Sequence, residues 1–289
     1  MAIETSALVA LSNDVAATVE RVADGVVAVE ARSRLGSSGF FIQPDLILTA
    51  DHALESDDVA IVRAGGSGEA ATIVGRDPST DLALLRVSSP GTPLAFASAD
   101  APRVGAIVLA VARDDDGDLA ATMGVLSAVG EAWRTWQGGE IDRFVRPDLS
   151  LYPRFSGSPL VDATGKVLGL NTGGLSRRQA LTVPSTTIER VVDALLTRGR
   201  IPRGYLGVAL QGVQGGVIIL GVERGSPADR GGLIVGDGIT AIGGKPVEDA
   251  SDVHARLGAA TVGAPLGIDV QRGGAPHHLD VVVGERPER

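Results

Sequence analysis

SSGFFIQPDLILTADHAL, residues 37–54, sets the architecture expected for this chain. Two short apolar runs, Gly39–Ile42 and Leu46–Ala50, lie on either side of a Pro-Asp pair, which is typical of two strands joined by a turn. His52 follows the second run directly, so a rigid strand end can hold its side chain in place. The stretch therefore predicts neighbouring strands with a histidine at the edge of the sheet.

Similar short apolar or alternating runs continue on both sides of this stretch. One group precedes residue 98 and another follows residue 102, and Gly, Pro, Asp or Ser separates neighbouring runs. Two successive groups predict a mainly β fold with two antiparallel six-stranded β-barrels and a boundary near 98–102. The predicted strands are Val26–Glu30, Gly39–Ile42, Leu46–Ala50, Val59–Arg63, Leu82–Val87, Ala106–Ala112, Ala120–Val129, Asp142–Val145, Pro159–Val161, Val167–Asn171 and Leu181–Val183.

One segment with helical periodicity precedes the two predicted barrels, and another follows them. Apolar residues recur every three or four positions over Leu8–Ala23 and Thr186–Leu196, which predicts two amphipathic helices. The first domain is therefore expected to span 8–197. The basic segment 198–204 contains Gly and Pro and is predicted to be a linker. Residues 205–285 are predicted to form a separate α+β domain, with a helix near residues 252–260.

The composition excludes several classes of function. The 289 residues are 44% hydrophobic and 21% charged, which is ordinary for a globular protein. A net charge of −9 argues against nucleic acid as the main partner, because phosphate binding needs a concentrated basic face. The chain has no cysteine, which excludes disulfides and thiolate metal ligands. We expect no cofactor.

The N-terminal residues lack a basic stretch followed by an apolar core, which is the pattern of an export signal. On the sequence as it stands, a cytoplasmic location is expected. An extracytoplasmic location is expected instead if the chain is a processed form. No apolar stretch reaches about eighteen residues, so no integral membrane segment is predicted.

Two clusters invite a metal interpretation, and neither supports one. Asp114–Asp118 reads DDDGD, but the bidentate acid of a calcium-binding loop is missing, so a solvated turn between strands is the better interpretation. His277 and His278 are adjacent in a predicted strand and would point to opposite faces. We expect no metal site.

Three residues suggest nucleophilic catalysis. His52 is the only histidine in the first two hundred residues, so if an imidazole of this chain activates a nucleophile in this region, it is His52. Asp81 interrupts the start of an apolar strand, where a partly buried carboxylate could orient an imidazole; the alternative is that it only caps a turn. Ser156 precedes Gly157 in a tight bend that can expose a hydroxyl and aim backbone amides inward.

These segments resemble the HtrA (DegP-like) serine protease family over nearly the whole chain. The resemblance lies in TVERVADGVVAVEA (18–31), the stretch 37–54 itself, DPSTDLALLRV (77–87) and RPDLSLYPRFSGSPLVDATGKVLGLNT (146–172). It implies a chymotrypsin-like fold that hydrolyses peptides through an acyl-enzyme. By this resemblance Ser156 is the nucleophile, His52 the general base and acid, and Asp81 the orienting carboxylate.

The chain departs from the family beside the nucleophile. Where the family usually has Gly-Asn-Ser-Gly-Gly, this chain has Arg154-Phe155-Ser156-Gly157-Ser158. The resemblance assigns the oxyanion hole to the amides of Arg154 and Ser156. A residue with a Cβ at 154 disfavours the torsions that glycine adopts there, so the peptide is expected to be flipped. The loss of one oxyanion donor costs about 10²–10³ in turnover.

The family resemblance also places the specificity pocket and the C-terminal groove. Its pocket walls would be Ser150–Pro153 and Leu170–Gly174, and the absence of a carboxylate at Ser150 favours small or medium apolar side chains. YLGV (205–208) and the following GGVIILGVERGSPADRGGLIVGDGITAIGGKPV (215–247) resemble a PDZ domain. The peptide-binding residues that this implies are Leu206, Gly207, Val208, Val253 and Leu257.

Two functions are consistent with these observations. The first is an HtrA-type endopeptidase of unfolded or damaged proteins whose PDZ domain binds polypeptide C-termini. The second is a protease-like scaffold with an impaired oxyanion hole that acts as a peptide-binding or chaperone-like module. The intact set of His52, Asp81 and Ser156 favours the first, and Arg154 favours the second. The family resemblance further implies a homotrimer.

Overall fold

The computed structural model describes residues 6–31, 36–176, 179–199, 201, 204–213, 216–258 and 261–285. Its internal contacts divide the chain into two units. The first unit comprises residues 1–135 and 139–200, and the second comprises 136–138 and 201–289.

The first unit begins with helix α1 (Ala7–Ala23), which leads into a closed barrel. The barrel order is β1-β2-β3-β6-β5-β4, all ladders are antiparallel, and β4 pairs back onto β1. Its strands are β1 (Val26–Glu30), β2 (Ser37–Gln43), β3 (Leu46–Thr49), β4 (Val59–Val62), β5 (Gly68–Asp77) and β6 (Leu82–Arg86). Phe41, Ile47 and Leu85 fill its interior.

Strand β5 is absent from the sequence prediction. Its sequence GEAATIVGRD carries a glycine and charged residues at both ends, and its faces alternate only weakly between buried and exposed. The β pattern is therefore hard to see without the neighbouring strands. The predicted helix over Leu8–Ala23 is present, but Leu8 and Leu11 at its start lie exposed rather than against the core.

The second barrel is nearly closed. Its six strands are ordered β11-β8-β7-β12-β13-β14, and the two edge strands, β11 and β14, approach each other. The strands are β7 (Ile107–Arg113), β8 (Leu119–Gly130), β11 (Phe144–Asp148), β12 (Pro159–Asp162), β13 (Val167–Thr172) and β14 (Leu181–Pro184). A small hairpin of β9 (Trp133–Arg134) and β10 (Glu140–Ile141) interrupts them.

The strand predicted at Asp142–Val145 is displaced. Strand β11 begins at Phe144 and pairs with β8 to Asp148 through a register shift at Arg146 and Pro147. Because proline ordinarily ends a strand pattern, the sequence suggested an earlier end.

Helix α2 (Ser185–Arg198) closes the first unit, and Gly199 caps it with a φ of 71°. The predicted linker 198–204 therefore overlaps the end of α2, and it overlaps a strand at its other end. Residues 200, 202 and 203 of that linker lie outside the described residues.

The second unit is a small α+β domain built on one antiparallel sheet, ordered β16-β17-β18-β20-β21, with β19 pairing β18 and β15 pairing β22. Its elements are β15 (Gly204–Tyr205), β16 (Val208–Val213), β17 (Gly216–Val222), α3 (Pro227–Arg230), β18 (Gly238–Ile242), β19 (Lys245–Pro246), α4 (Ala250–Arg256), β20 (Pro265–Arg272), β21 (Ala275–Val282) and β22 (Gly284–Glu285). Of the predicted helix 252–260, residues 259 and 260 lie outside the described residues.

One ion pair anchors this second sheet to the loop before β18. Arg272 donates from Nε to Asp237 Oδ1 at 2.7 Å and from Nη2 to Asp237 Oδ2 at 2.8 Å. The Asp237 side chain is fully buried and also accepts from the Ile234 amide at 2.9 Å. The hydrogen bonds from Arg272 hold the pKa of Asp237 below its ordinary value, and burial opposes this shift.

Arg272→Met is expected to lower the melting temperature of the second unit by several degrees at neutral pH, because it leaves the buried Asp237 carboxylate without its cationic partner. The Asp237 pKa is lowered on folding, so this stabilisation is present above the carboxyl's ordinary value of 3.8 and is lost as the pH falls through the lower folded value. Calorimetry of the full chain at several pH values measures it, with Lys245→Met as the exposed control. Equal melting temperatures for Arg272→Met and the parent protein at neutral pH would contradict this account.

Candidate active site

His52 lies on a single turn of 3-10 helix, Asp51–Ala53, directly after strand β3. Its Nδ1 is 2.7 Å from Asp81 Oδ2, and its backbone amide donates to Asp81 Oδ1 at 2.8 Å. Both carboxylate oxygens of Asp81 therefore engage one residue, and this fixes the orientation of the imidazole relative to the barrel. The imidazole is 31% exposed, whereas the Asp81 side chain is 5% exposed.

Asp81 adopts an unusual backbone conformation. Its φ is 58°, which makes it the only non-glycine residue with a positive φ among those that the structure describes. Aspartate tolerates this left-handed region better than most residues. The conformation turns the side chain toward His52, while the Asp81 carbonyl accepts from the Asp51 amide at 3.2 Å.

Thr172 is a third partner of Asp81, and the sequence reasoning missed it. Its hydroxyl donates to Asp81 Oδ2 and accepts from the Gly174 amide at 2.8 Å. Thr172 ends strand β13 of the second barrel, so it brings a donor from that barrel to the carboxylate of the first. The only signal in the sequence was a hydroxyl at the end of the apolar run VLGLNT.

Two consecutive glycines, Gly173 and Gly174, lie beside both the candidate nucleophile Ser156 and the His52-Asp81 pair. A Cβ on Gly174 would lie 2.5 Å from Asp81 Oδ2 and 2.7 Å from His52 Nδ1, and a Cβ on Gly173 would lie 4.0 Å from Ser156 Oγ. The Ser156 hydroxyl thus faces the same short segment as the pair. Among the described residues, hydrogen bonds join His52 and Thr172 to Asp81, and none joins Ser156 Oγ to His52.

The loop before Ser156 is folded into a 3-10 turn, Pro153–Phe155. In it the Ser156 amide donates to the Pro153 carbonyl at 3.0 Å. One of the two amides that the resemblance assigns to an oxyanion hole is therefore occupied by a carbonyl of the same loop. An incoming oxyanion could use that amide only after the turn opens.

Ser38 holds this loop from the side. Its hydroxyl donates to the Arg154 carbonyl at 2.8 Å, and its amide donates to the Ser156 carbonyl at 2.9 Å. A Cβ on Gly157, whose φ is 85°, would lie only 2.0 Å from the Ser38 carbonyl oxygen, so glycine is required there. Ser38, from the second position of the stretch 37–54, thus anchors the loop that carries Ser156, and the sequence reasoning missed this contact.

The Arg154 side chain forms an ion pair with the turn between β7 and β8. Its Nη1 is 3.2 Å from Asp114 Oδ2, and Asp114 Oδ1 accepts from the Asp118 amide at 2.9 Å. The acidic segment interpreted as a solvated turn thus also holds Arg154. Arg154 and Asp114 both line a cavity of about 730 Å³, together with Ser150 and Tyr152.

Buried Arg113 secures that acidic turn. Its guanidinium donates to the carbonyls of Val26 at 2.8 Å, Ala23 at 2.7 Å and Gly117. Burial lowers the pKa of Arg113, and nearby carboxylates such as Asp114 oppose the shift. The guanidinium stays charged, and it fixes the turn against the first barrel.

Four of the five residues predicted to bind a peptide share the core of the second unit. Leu206 and Val253 belong to its core, and Val208 and Leu257 pack against that core. Gly207 has a φ of 80°, and a Cβ there would lie 2.3 Å from Ser226 Cβ. Strand β16 forms one edge of the sheet, so its outer backbone groups are available for an added strand.

Each of the two parts of the chain matches a known domain family. Residues 37–170 match the trypsin-like peptidase domain family, and residues 204–283 match the PDZ domain family. A probable periplasmic serine endoprotease DegP-like of Ectopseudomonas mendocina is 33% identical over 279 residues, which cover 90% of this chain and 58% of that protein. The putative serine protease HhoB of Synechocystis sp. is 31% identical over 287 residues, which cover 90% of this chain and 68% of that protein.

Solved structures give the same result. The HtrA-type protease AlgW with a decapeptide superposes with a TM-score of 0.75 at 26% identity, covering 95% of this chain and 99% of that chain. The serine endoprotease from Yersinia pestis has the same TM-score and identity, with 95% and 98% covered.

These matches define a chymotrypsin-like peptidase fold followed by a PDZ domain, as predicted. The chain belongs to the HtrA (DegP-like) serine protease family. It spans about three-fifths of the DegP-like relatives, for example 58% of the E. mendocina protein. In the part of the chain that the structure describes, no helix combines the length and apolarity needed to cross a bilayer.

Proposed function

We propose that this protein is a serine endopeptidase that cleaves peptide bonds in unfolded or damaged proteins. In this proposal Ser156 is the nucleophile, His52 the general base and acid, and Asp81 the carboxylate that orients the imidazole. The supporting observation is the 2.7 Å contact between His52 Nδ1 and Asp81 Oδ2, beside the glycine pair that faces Ser156 Oγ. Membership of a family whose relatives are named serine endoproteases supports the same chemistry.

The proposed reaction follows the order of these contacts. Because Asp81 engages Nδ1, the Nε2 atom of His52 is left to accept the Ser156 proton as Oγ attacks the scissile carbonyl. Asp81 stabilises the imidazolium, and His52 then protonates the leaving amine. Water attacks the resulting acyl-enzyme by the same route, which releases the second product and restores Ser156.

The oxyanion hole is proposed to be closed at rest. We assign its donors to the amides of Arg154 and Ser156, and the Ser156 amide is currently bonded to Pro153. Rotation of the Pro153–Arg154 peptide would free it. The alternative function, a peptide-binding or chaperone-like scaffold, is favoured only by this closed loop, whereas the Asp81 network and the family membership favour a protease.

Ser156→Ala is expected to abolish labelling by a fluorophosphonate probe and to lower cleavage of a denatured protein by about 10⁴-fold or more, because the nucleophile is removed. His52→Gln is expected to have an effect of similar size. Ser98→Ala, at an exposed serine between the barrels, is the matched control and should label like the parent protein. If the parent chain shows no Ser156-dependent labelling, with or without a C-terminal peptide, the protease proposal is wrong.

Arg154→Gly is expected to raise kcat/KM by at least tenfold, and by no more than the factor of about 10²–10³ that one oxyanion donor is worth. Glycine removes both the Cβ and the ion pair to Asp114 that hold the closed turn. Asp114→Asn separates these two contributions, since it breaks only the ion pair, and Asp115→Asn in the same turn is its control. Activity of Arg154→Gly at or below the parent level would show that Arg154 does not restrain the loop.

We also propose that the second unit binds the C-termini of polypeptides. The peptide would add as a strand along β16, with its carboxylate at the amides of the Leu206–Val208 turn and α4 as the opposite wall. The positive φ of Gly207 supports this, because it curls the turn so that successive amides can converge on an anion.

A fluorescent peptide with a free C-terminal valine is expected to bind the full-length chain, and its carboxamide is expected to bind at least tenfold more weakly, because the amide lacks the charge that the turn recognises. Fluorescence anisotropy measures both. Equal affinity for the two peptides would rule out carboxylate recognition.

Two further proposals concern the organisation of the chain. We propose the domain limits 8–197 and 205–285, which the division of contacts near residue 200 and the PDZ match at 204–283 support. We propose a homotrimer, since Leu8, Leu11, Ile107 and Met123 expose apolar surface on the first unit. Light scattering of the full chain tests it, and a monomeric mass would contradict it.

The cytoplasmic location expected from the N-terminus finds no support in the comparisons, because the curated DegP-like relatives are named periplasmic. We propose an extracytoplasmic location instead. Fractionation of the producing cell tests this proposal, and recovery of the protein only with cytoplasmic markers would contradict it.

A further inference from the structure

The loop that leads to Asp81 is held from within by a second aspartate. Asp77, the last residue of β5, is buried, and its Oδ1 accepts from the Ser79 amide at 3.1 Å and from the Ser79 hydroxyl at 2.6 Å. Its Oδ2 accepts from the Thr80 hydroxyl at 2.7 Å. Asp77 therefore fixes the path of the chain up to the residue before Asp81.

The same loop also contacts a hairpin of the second barrel. Thr135 lies in the turn between β9 and β10 and is buried, and its hydroxyl donates to the Ser79 carbonyl at 2.7 Å. The Gly139 amide donates to this hydroxyl at 3.0 Å, and the Thr135 amide donates to the Gly139 carbonyl at 2.9 Å. Thr135 and Gly139 both belong to the first unit. One hydroxyl thus closes the hairpin turn and holds a carbonyl two residues before Asp81.

The hairpin fits closely against this loop. A Cβ on Gly139 would lie 2.3 Å from the Ser79 carbonyl oxygen and 2.8 Å from Ser79 Cβ, so a larger residue would fit there only if the loop moved. Thr135, Ser79 and Thr80 are all buried, and a buried carbonyl that loses its donor is destabilising. The hydroxyl of Thr135 therefore restrains the loop rather than merely touching it.

Asp81 depends on such restraint because its φ is 58°. A residue other than glycine keeps this left-handed conformation only when the surrounding structure holds it there. In this conformation the carboxylate accepts from the His52 amide and contacts the imidazole Nδ1. A shift of the Ser79 carbonyl would therefore move the carboxylate relative to His52.

We propose that Thr135 is a positioning residue for the His52–Asp81 pair: its hydroxyl fixes the loop that leads to Asp81 and thereby keeps the carboxylate against the imidazole. The inference rests on the proposed function, in which Asp81 orients His52. Thr172 touches the carboxylate itself, whereas Thr135 acts through the Ser79 carbonyl. The second barrel therefore supports Asp81 at two separate points.

Hydrogen exchange of the His52 amide measures this positioning without turnover, because that amide donates to Asp81 Oδ1 at 2.8 Å. In full-length Ser156→Ala, the further change Thr135→Val is expected to speed this exchange about tenfold, since valine keeps the shape of threonine and removes the donor. Thr135→Ser should exchange like Ser156→Ala alone. NMR follows the exchange, and unchanged exchange of the Phe41 amide shows that the first barrel stays folded.

Gly139→Ala tests the same loop through a steric change. Its new Cβ would press on the Ser79 carbonyl, so exchange of the amide beside Asp81 should rise at least as much as in Thr135→Val. Gly130→Ala is the matched control, because the nearest neighbour of its Cβ would be 3.4 Å away. Parent-like exchange in both Thr135→Val and Gly139→Ala would overturn the inference.

Enzyme kinetics give a second, independent measurement. With Ser156 intact, Thr135→Val should lower kcat about tenfold and leave KM within about twofold, because it disturbs the base rather than a contact with the substrate. Thr135→Ser should restore kcat. Thr197→Val should leave kcat unchanged, since the Thr197 hydroxyl is exposed and donates to carbonyls of its own helix. A higher KM at an unchanged kcat in Thr135→Val would overturn the inference.

The two measurements together separate this inference from the proposed function. Faster exchange at His52 in Thr135→Val, without any Ser156-dependent cleavage by the parent protein, would overturn the protease function while the role of Thr135 in positioning Asp81 stands. Ser156-dependent cleavage by the parent protein, with parent-like exchange and kcat in Thr135→Val, would overturn only the role of Thr135.

Discussion

The buried carboxylate of Asp81 is the group on which the first unit depends most. Burial of an unpaired carboxylate is strongly unfavourable, so its oxygens need donors. The amide and ring of His52 supply donors from the first barrel, and the hydroxyl of Thr172 supplies one from the second. The Asp81 carboxylate therefore receives hydrogen bonds from both barrels, and its burial depends on both. Gly174 is part of this arrangement, because any larger residue would enter the contact between His52 and Asp81.

A second network of hydrogen bonds, centred on Ser38, holds the loop that carries Ser156. The hydroxyl and amide of Ser38 bind the carbonyls of Arg154 and Ser156, while the Arg113 amide donates to the same hydroxyl at 3.1 Å. This network holds the 3-10 turn in which the Ser156 amide is occupied by Pro153. The Asp81 network holds His52 and the end of β13, whereas the Ser38 network holds the loop before β12.

The second unit obeys a different constraint. Its core closes around Leu206 and Val253, and the same residues form the inner surface of the proposed peptide groove. In that proposal the same side chains serve the core and the groove, whereas the backbone at Gly207 would recognise the carboxylate. The ion pair of Arg272 with Asp237 stabilises the sheet from the side of β20, away from the edge strand β16.

Much of the architecture could be predicted because local patterns carry it. Alternating apolar runs indicated most strands, and the segments around His52, Asp81 and Ser156 indicated the family. Arg154 predicted a flipped peptide before Ser156, and in the structure the Ser156 amide donates to the Pro153 carbonyl. These inferences concern residues close together in sequence, or motifs whose spacing is characteristic.

The remaining features depend on contacts between residues far apart in the chain. Strand β5 is recognisable only once β4 and β6 pair with it, since its own pattern is weak. Thr172 reaches Asp81 across 91 positions, and Arg76 reaches Asp51 across 25. No periodicity or composition encodes such pairs, because a side chain's partner is set by how the barrels close. The amino-acid sequence by itself determined most of the elements, the family and the candidate residues at 37–54, 77–87 and 146–172. Closure of the barrels determined which donors reach Asp81 and which cation pairs with Asp51.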